Sequence, residues 1–451
     1  MKFLDALRKA KLNSGNVVIP DIKVFSPKDG ELMGGRRPAD YAAALVRAGA
    51  PVISVVTEEK EFHGSLEMLK EIAGAVDVPI LRKDFIHTRE DLIETKEAGA
   101  SAILLMCSCL SGDELQTLYR QALELGIDPF VETHNEEDFE LVNELGAELV
   151  GINNRDILKL ERDDGDVNRT VSLAGLAPDG AFLVTESSIK NPQEVRTAIR
   201  SGADAALVGT AIALAPDAEM FYRMLASPTC LKVCGLMKRE DIETCIECGV
   251  ERIGMVCEYP VYVPWSMDRE RVCELRNDIP KGFTSVVVTG GDSGKILEIA
   301  RSVRPDMMQL HYKEGADQLK GLVPELKKMG ISVIKTVPVS PEDSLEQFGT
   351  DDMENVIRQL EECGVDELLV DPRHGANAER MDLKADEDLF KKILEAASIP
   401  VILAGGLNTD NIRDSIDRTG AESVDVMTGS EDSPGRKNKE KIRFLAGACR
   451  N

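Results

Sequence analysis

Aromatic side chains are scarce in this chain of 451 residues: they make up 4% of it, with a single tryptophan, and histidine occurs five times. Its cores must be filled by Ala, Val, Ile and Leu, within an apolar fraction of 43% that is ordinary for an α/β protein. Long apolar runs are missing too. No stretch of about 18 apolar residues occurs, and Met1-Lys2-Phe3-Leu4-Asp5 has no apolar segment behind its lysine, so a cytoplasmic protein without a membrane partner is expected. Positive charge is in deficit: 54 Lys and Arg against 79 Asp and Glu leave a net −25. That field repels nucleic acid and anionic surfaces, so no nucleic-acid partner is expected and an anionic substrate must be held by local groups.

Ten cysteines stand at irregular spacing, mostly inside apolar runs, and read as reduced core residues rather than a disulfide framework. Cys245 and Cys248 form a C-x-x-C, but no second pair or histidine couple completes a metal site, and their spacing on a helical pattern reads as packing. His134 and His311 are isolated among non-ligand neighbours and read as hydrogen-bonded rim or structural residues. With no flavin or nicotinamide fingerprint and no P-loop either, no metal or cofactor is expected.

What is present is repetition. At roughly 100–200 residues per domain, or up to about 250 for an α/β barrel, the length predicts two or three domains. Short apolar runs alternate with longer helical patterns: Val17–Ile22, Pro51–Val56, Val78–Leu81, Ala102–Met106, Pro129–Glu132, Leu149–Ile152, Phe182–Glu186 and Ala205–Val208. A second set of eight follows: Leu231–Cys234, Arg252–Val256, Thr284–Val288, Met307–Leu310, Ser332–Thr336, Glu367–Asp371, Pro400–Ala404 and Ser423–Met427. Continuous apolar strands followed by amphipathic helices call for parallel sheets covered by helices, and eight such units close a barrel. The expected fold class is therefore α/β, with two tandem (β/α)8 TIM barrels spanning 1–227 and 228–451; Ser227-Pro228 ends a helix at the junction. A doubly wound open sheet is the alternative.

In such barrels chemistry gathers where strands end, and the loops after the seventh and eighth strands bind phosphate through backbone N–H groups. Small residues stand at those places: Ser187, Ser188, Gly209 and Thr210 in the first half, and Gly405, Gly406, Thr428 and Gly429 in the second. Two phosphate sites, and hence small sugar-phosphate substrates, are expected. Polar residues also close the strands of the first half: Asp21 and Lys23, Lys83-Asp84, Glu132 and His134, and Asn153-Asn154-Arg155-Asp156. Two lysines and a glutamate aimed into one crevice mark an active site rather than a solvated rim.

The segments "SVVTEEKEFHGSLEMLKEIAGAVDVPILRKDFI", "FVETHNEEDFELVNELGAELVGINNRD" and "KVFSPKDG" resemble indole-3-glycerol phosphate synthase, over about Phe3 to Leu225. The resemblance implies a carboxyphenylamino deoxyribulose phosphate that closes to an indole with loss of carbon dioxide and water. Ring closure needs an acid at the ketone oxygen, which it assigns to Lys83, with a pKa expected to be lowered by burial near a second lysine. Glu132 is the base for loss of water, and Lys23 and Asp21 complete the catalytic set. Asn154 and Arg155 orient the substrate, with Ser26, Glu186, Ser187, Ser188, Gly209 and Thr210 as further binding residues. The chain departs from the family at Asp21, where a glutamate is usual, at Lys28, usually serine, and at Ser188, usually glycine.

In the second half "LKVCGL", "MMQLH", "VIKTV", "VILAGGLNTDNI" and "VDVMTGSEDSPGRKNKEKI" resemble phosphoribosylanthranilate isomerase, from about Lys232 onward. That family converts an aminoaldose to an aminoketose, which requires an acid at the ring oxygen and a base at the C2 proton. The resemblance makes Asp371 the acid and Cys234 the base. Its product is the substrate of the first half. The family's S-x-R arginine after the second strand, which grips the anthranilate carboxylate, is absent from "EYPVYVPWSMDRE", where Pro264 stands near its place; "RHGANAERMD" replaces a glycine-rich segment, and Tyr312 replaces a glycine. Isomerisation with weakened binding is expected unless Lys238 or Arg239 supplies the missing cation. The alternatives are a paralogue acting on a different aryl-amino sugar phosphate, and a silent second barrel that serves as a binding domain.

Overall fold

A computed structural model describes residues 2–13, 15–155, 167–373 and 384–450. In the N-terminal half the apolar runs become parallel strands: β1 Val17–Ile22, β2 Ile53–Val56, β3 Ile80–Lys83, β4 Ala102–Met106, β5 Asp128–Thr133, β6 Leu149–Asn153, β7 Phe182–Glu186 and β8 Ala205–Val208. Each pairs with the next, and β1 joins both β8, at Val17 with Ala205, and β2, at Asp21 with Ser54, so the sheet closes. The C-terminal half repeats the plan with β9 Cys230–Val233, β10 Arg252–Cys257, β11 Thr284–Thr289, β12 Met307–Leu310, β13 Ser332–Thr336, β14 Glu367–Val370, β15 Val401–Ala404 and β16 Ser423–Val426. There β9 pairs with β16 and with β10, closing the second ring. Both are (β/α)8 barrels. The chain separates into two compact units, Met1–Pro228 and Thr229–Asn451.

The helices between strands form for local reasons. Gly112–Leu125 opens on a Ser111–Glu114 capping box, ends on Gly126 in the left-handed region, and buries Leu115, Leu118, Tyr119 and Ala122 against the sheet. Inside the first barrel Phe130 and the Glu186 side chain are admitted by Gly151, where a Cβ would stand 2.6 Å from the Phe130 ring and 2.7 Å from Glu186 Oε1. The second barrel is filled by Val286, Met307, Ile334, Leu369, Ile402 and Ala404. Near the starts of its strands, Arg252 grips Glu367 with two bonds of 2.5 and 2.7 Å. All ten cysteines are free, and Cys245 and Cys248 are buried packing residues.

Two short hairpins decorate the rims without having been legible as strands: Phe25–Ser26 with Gly30–Glu31, and Glu431–Ser433 with Arg436–Lys437. Among the described residues no helix is long and apolar enough to cross a membrane.

Candidate active sites

Strand alternation decides which side chains enter the first barrel's crevice. At the end of β3, Arg82 turns outward, where it bonds Asp84 at 3.0 Å, and strand alternation sends the next residue, Lys83, inward. Lys83 joins Asp21, Lys23, Phe62, Glu132 and Asn153 around a cavity of about 450 Å³. Its ammonium forms an ion pair with Glu186, which is fully buried at the end of β7. The expected lowering of the Lys83 pKa is not what this setting produces. Burial does work to lower it, but the carboxylates of Glu186, Asp21 and Glu132 outweigh burial and the pKa is raised. The reason is the company it keeps: carboxylates surround it, with no second lysine among the dominant influences. Burial raises the carboxyls of Glu132 and Glu186, and Lys83 opposes it at both.

Asp21 accepts the Ser54 hydroxyl at 2.7 Å and backs onto Gly209, where a Cβ would come within 3.2 Å of it. Lys23 is nearly buried, its Nζ 5.7 Å from the centre of the Phe62 ring. His134 stands at the rim, 3.6 Å from Glu132. Of the expected binding residues, Ser187 lines this cavity, while Asn154 and Ser26 are engaged in local bonds. Asn154 turns its amide into a buried network with Thr185 Oγ1 at 2.9 Å and the Glu186 carbonyl at 3.0 Å, whereas Asn153, the last residue of β6, lines the cavity. Ser26 closes its own turn, accepting from the Lys28 and Asp29 N–H groups at 3.3 Å. Asp156 lies outside the described residues.

At the rim of β7, Ser187 and Ser188 both adopt left-handed backbone, φ 65° and 60°, the conformation glycine takes without cost. Arg155 Nε donates to Ser188 Oγ at 2.9 Å, so the hydroxyl that replaces the family's glycine has a cationic partner. Ser187 lines the cavity, while Thr210 opens the short helix Thr210–Ala213 after β8.

In the second barrel Cys234, just past β9, lines a cavity of about 550 Å³ together with Asp371, Asp425, Arg373, His311 and Trp265. Two residues before the cysteine, Lys232 is fully buried and bonds Asp425 Oδ2 at 2.6 Å across the β9–β16 register. Burial raises the Cys234 thiol above its usual 9.0, with Lys232 opposing. Burial lowers and Asp425 raises the Lys232 pKa, and the carboxylate prevails. Lys437, from the rim hairpin, donates to the Cys234 carbonyl at 2.6 Å and to Glu431 at 2.8 Å; Glu431 in turn accepts the Trp265 indole N–H at 2.9 Å.

The glycines beyond β15 and β16 serve close approach. A Cβ on Gly429 would lie 2.0 Å from the Leu407 carbonyl oxygen, and one on Gly405 (φ 100°) would lie 2.5 Å from Pro372. Gly406 is also left-handed, at φ 64°, and the Thr428 carbonyl accepts the Glu431 N–H at 3.0 Å. Lys238 and Arg239 do not line the cavity: Lys238 precedes a helix and Arg239 pairs with Asp278 at 2.8 Å. Of "RHGANAERMD", Arg373 is described and 374–382 lie outside the described residues. Lys232 and Asp425 went unread, although a lysine two before a strand-end cysteine is a visible same-face signal. Asn153 was within reach of the same alternation; Arg373 and Trp265 sit on loops that carry none.

Fold and sites define a two-barrel enzyme with acid and base groups gathered at the C-terminal ends of each set of strands. Residues 1–225 match the family model of indole-3-glycerol phosphate synthase, and residues 231–447 that of N-(5'phosphoribosyl)anthranilate (PRA) isomerase. The indole-3-glycerol phosphate synthase of Thermococcus kodakarensis is 44% identical over 49% of this chain and 95% of its own length. The tryptophan biosynthesis protein TrpCF of Yersinia pestis is 30% identical over 96% of this chain and 85% of its own. The solved phosphoribosyl anthranilate isomerase of Thermotoga maritima superposes with a TM-score of 0.39 at 26% identity, covering 49% of this chain and 98% of that one. The chain belongs to the family of bifunctional tryptophan-biosynthesis enzymes that join indole-3-glycerol phosphate synthase to phosphoribosylanthranilate isomerase. Its N-terminal barrel is the decarboxylating lyase and its C-terminal barrel the intramolecular oxidoreductase.

Proposed function

We propose that Cys234 and Asp371 carry the Amadori rearrangement of phosphoribosylanthranilate, and that Lys83 and Glu132 carry the ring closure of its product. The observation that supports this most is the Lys83 ammonium held among Glu186, Asp21 and Glu132 at the mouth of one barrel. Its raised pKa keeps it protonated at neutral pH, so the acid is always loaded when the aryl carbon attacks the ketone and charge grows on that oxygen. Decarboxylation restores the aromatic ring. Glu132, whose affinity for a proton is increased by burial, then takes the proton released as water leaves. Glu186 positions Lys83, and Asn153 rather than Asn154 faces the substrate.

In the second barrel Asp371 protonates the ring oxygen and Cys234 removes the C2 proton. Lys232 lies where it stabilises the thiolate as that forms. Phosphate is held by backbone N–H groups around Ser188 and Gly209 in one barrel, and around Gly406 and Gly429 in the other. The placement of Cys234 and Asp371 on one cavity speaks against a silent second barrel. Ten unbridged cysteines suit a reducing cytoplasm.

Assaying both half-reactions with purified protein tests this reading. Cys234→Ser should abolish isomerisation and leave ring closure intact, because a hydroxyl is a far poorer base than a thiolate. Isomerisation that survives the substitution overturns the assignment.

A further inference from the structure

The cations around the second barrel's mouth are mostly committed. Lys232 holds Asp425, Lys335 holds Glu314 and Lys437 holds Glu431, each pair almost wholly buried. Arg373 is different. Its backbone is fixed on both sides: the N–H donates to Asp371 Oδ1 at 2.9 Å, and the carbonyl accepts from His311 Nε2 at 2.7 Å. A carbonyl can only accept, so Nε2 of His311 carries hydrogen; burial lowers the His311 pKa, which leaves the ring neutral. The Arg373 side chain is thereby aimed from a pinned backbone. Its Nε lies 3.5 Å from Asp371 Oδ1, and neither Nη has a protein acceptor among the described residues.

Among the described residues that line this cavity, Arg373 is the sole permanent cation. Much of the rest of the lining is apolar, built from Val256, Val263, Trp265, Val288 and Met427. An apolar wall with one guanidinium beside it suits a flat aryl ring that carries a carboxylate, the group arginine binds best. The arginine missing after the second strand belonged beside β10, whereas Arg373 follows β14. These strands are four steps apart in a ring of eight and so face each other across the barrel.

We propose that Arg373 is the carboxylate anchor of the second barrel, supplied from the far side of the ring in place of the missing arginine. The aryl ring lies on the apolar wall, and its carboxylate sits on the Asp371 side of the cavity. Arg373 is thus a specificity-determining residue, selecting the carboxylated aryl amine over its unsubstituted relative. This rests on the reading of the second barrel as the isomerase.

The chain's single tryptophan, Trp265, lines this cavity, so its emission reports occupancy of the second barrel independently of turnover. The full chain is titrated with reduced 1-(o-carboxyphenylamino)-1-deoxyribulose 5-phosphate and with its phenylamino counterpart lacking the carboxyl. Arg373→Met should weaken the carboxylated ligand about 10- to 150-fold, the scale of a lost charge-assisted bond, and leave the counterpart within about 2-fold. Arg373→Lys should restore part of the preference, because it keeps the charge and loses the fork. Retained binding of the counterpart controls for folding of the second barrel. Equal affinity of wild type and Arg373→Met for the carboxylated ligand overturns the proposal while leaving the isomerase reading intact, as does an equal loss for both ligands. If the wild type binds neither compound, the isomerase reading fails and the anchor falls with it.

Discussion

The two barrels share one scaffold and solve their proton problem in opposite ways. The first keeps its proposed donor charged: Lys83 sits among three carboxylates, two of them fully buried, and its pKa rises despite burial. The second keeps its proposed base neutral: Cys234 is buried against an apolar cavity, its thiol raised, with Lys232 and Lys437 as the opposing cations. What differs is the residue at each strand end, while strand number, parallel pairing and closure are alike. A barrel therefore sets where groups converge, and the local balance between burial and opposite charge sets which proton each of them holds.

Four measurements would break or sharpen that contrast. The largest effect is expected in the second barrel. Asp371→Asn cannot donate the ring-oxygen proton and should lower isomerisation by about 10²- to 10⁴-fold while ring closure is untouched. Loss in both reactions would mean that the substitution damages folding rather than chemistry. Next, Lys83→Met should lower indole formation about 100-fold or more, with isomerisation preserved. Near wild-type ring closure in that variant would remove the charged-donor half of the comparison.

The pH profiles of kcat/KM should diverge. Indole formation should fall on the acid side at a pH above the ordinary carboxylate value of 4.5, because burial keeps the proton on Glu132 that it must shed to act as a base. Isomerisation should instead keep rising toward and beyond pH 9.0, because the raised Cys234 thiol yields thiolate only there. Parallel profiles would show that the two sites are tuned alike. The smallest effect is expected for Ser188→Gly. Glycine relieves a left-handed residue, which costs roughly 1–2 kcal/mol, but forfeits the bond from Arg155, worth about 0.5–1.5 kcal/mol. Stability from urea unfolding should stay within about 1 kcal/mol of wild type. A larger loss would make that hydroxyl a structural anchor of the rim.

Much of this is legible in the sequence. The sixteen barrel strands coincide with the apolar runs to within a residue or two, because a parallel strand covered on both faces must be continuously apolar. Lys83, Glu132, Cys234 and Asp371 were legible as polar residues that close such runs. The rim hairpins were not, since strands of two or three residues have no period to detect. Asn153 and Asn154 are adjacent and chemically identical, so only the pleat distinguishes the one that lines the cavity from the one that braces the chain.

The sequence by itself determined the two rings of strands, the strand ends where chemistry collects, and the want of an arginine after the second strand of the second barrel. Those are properties of residue type and order along one segment. Only the tertiary structure decided that carboxylates outweigh burial at Lys83, that Lys232 lies between Cys234 and Asp425, and that Arg373 reaches the cavity facing β10. Each of these depends on strands distant in the chain meeting in register, and electrostatic energies are set by distance through space rather than by separation along the chain.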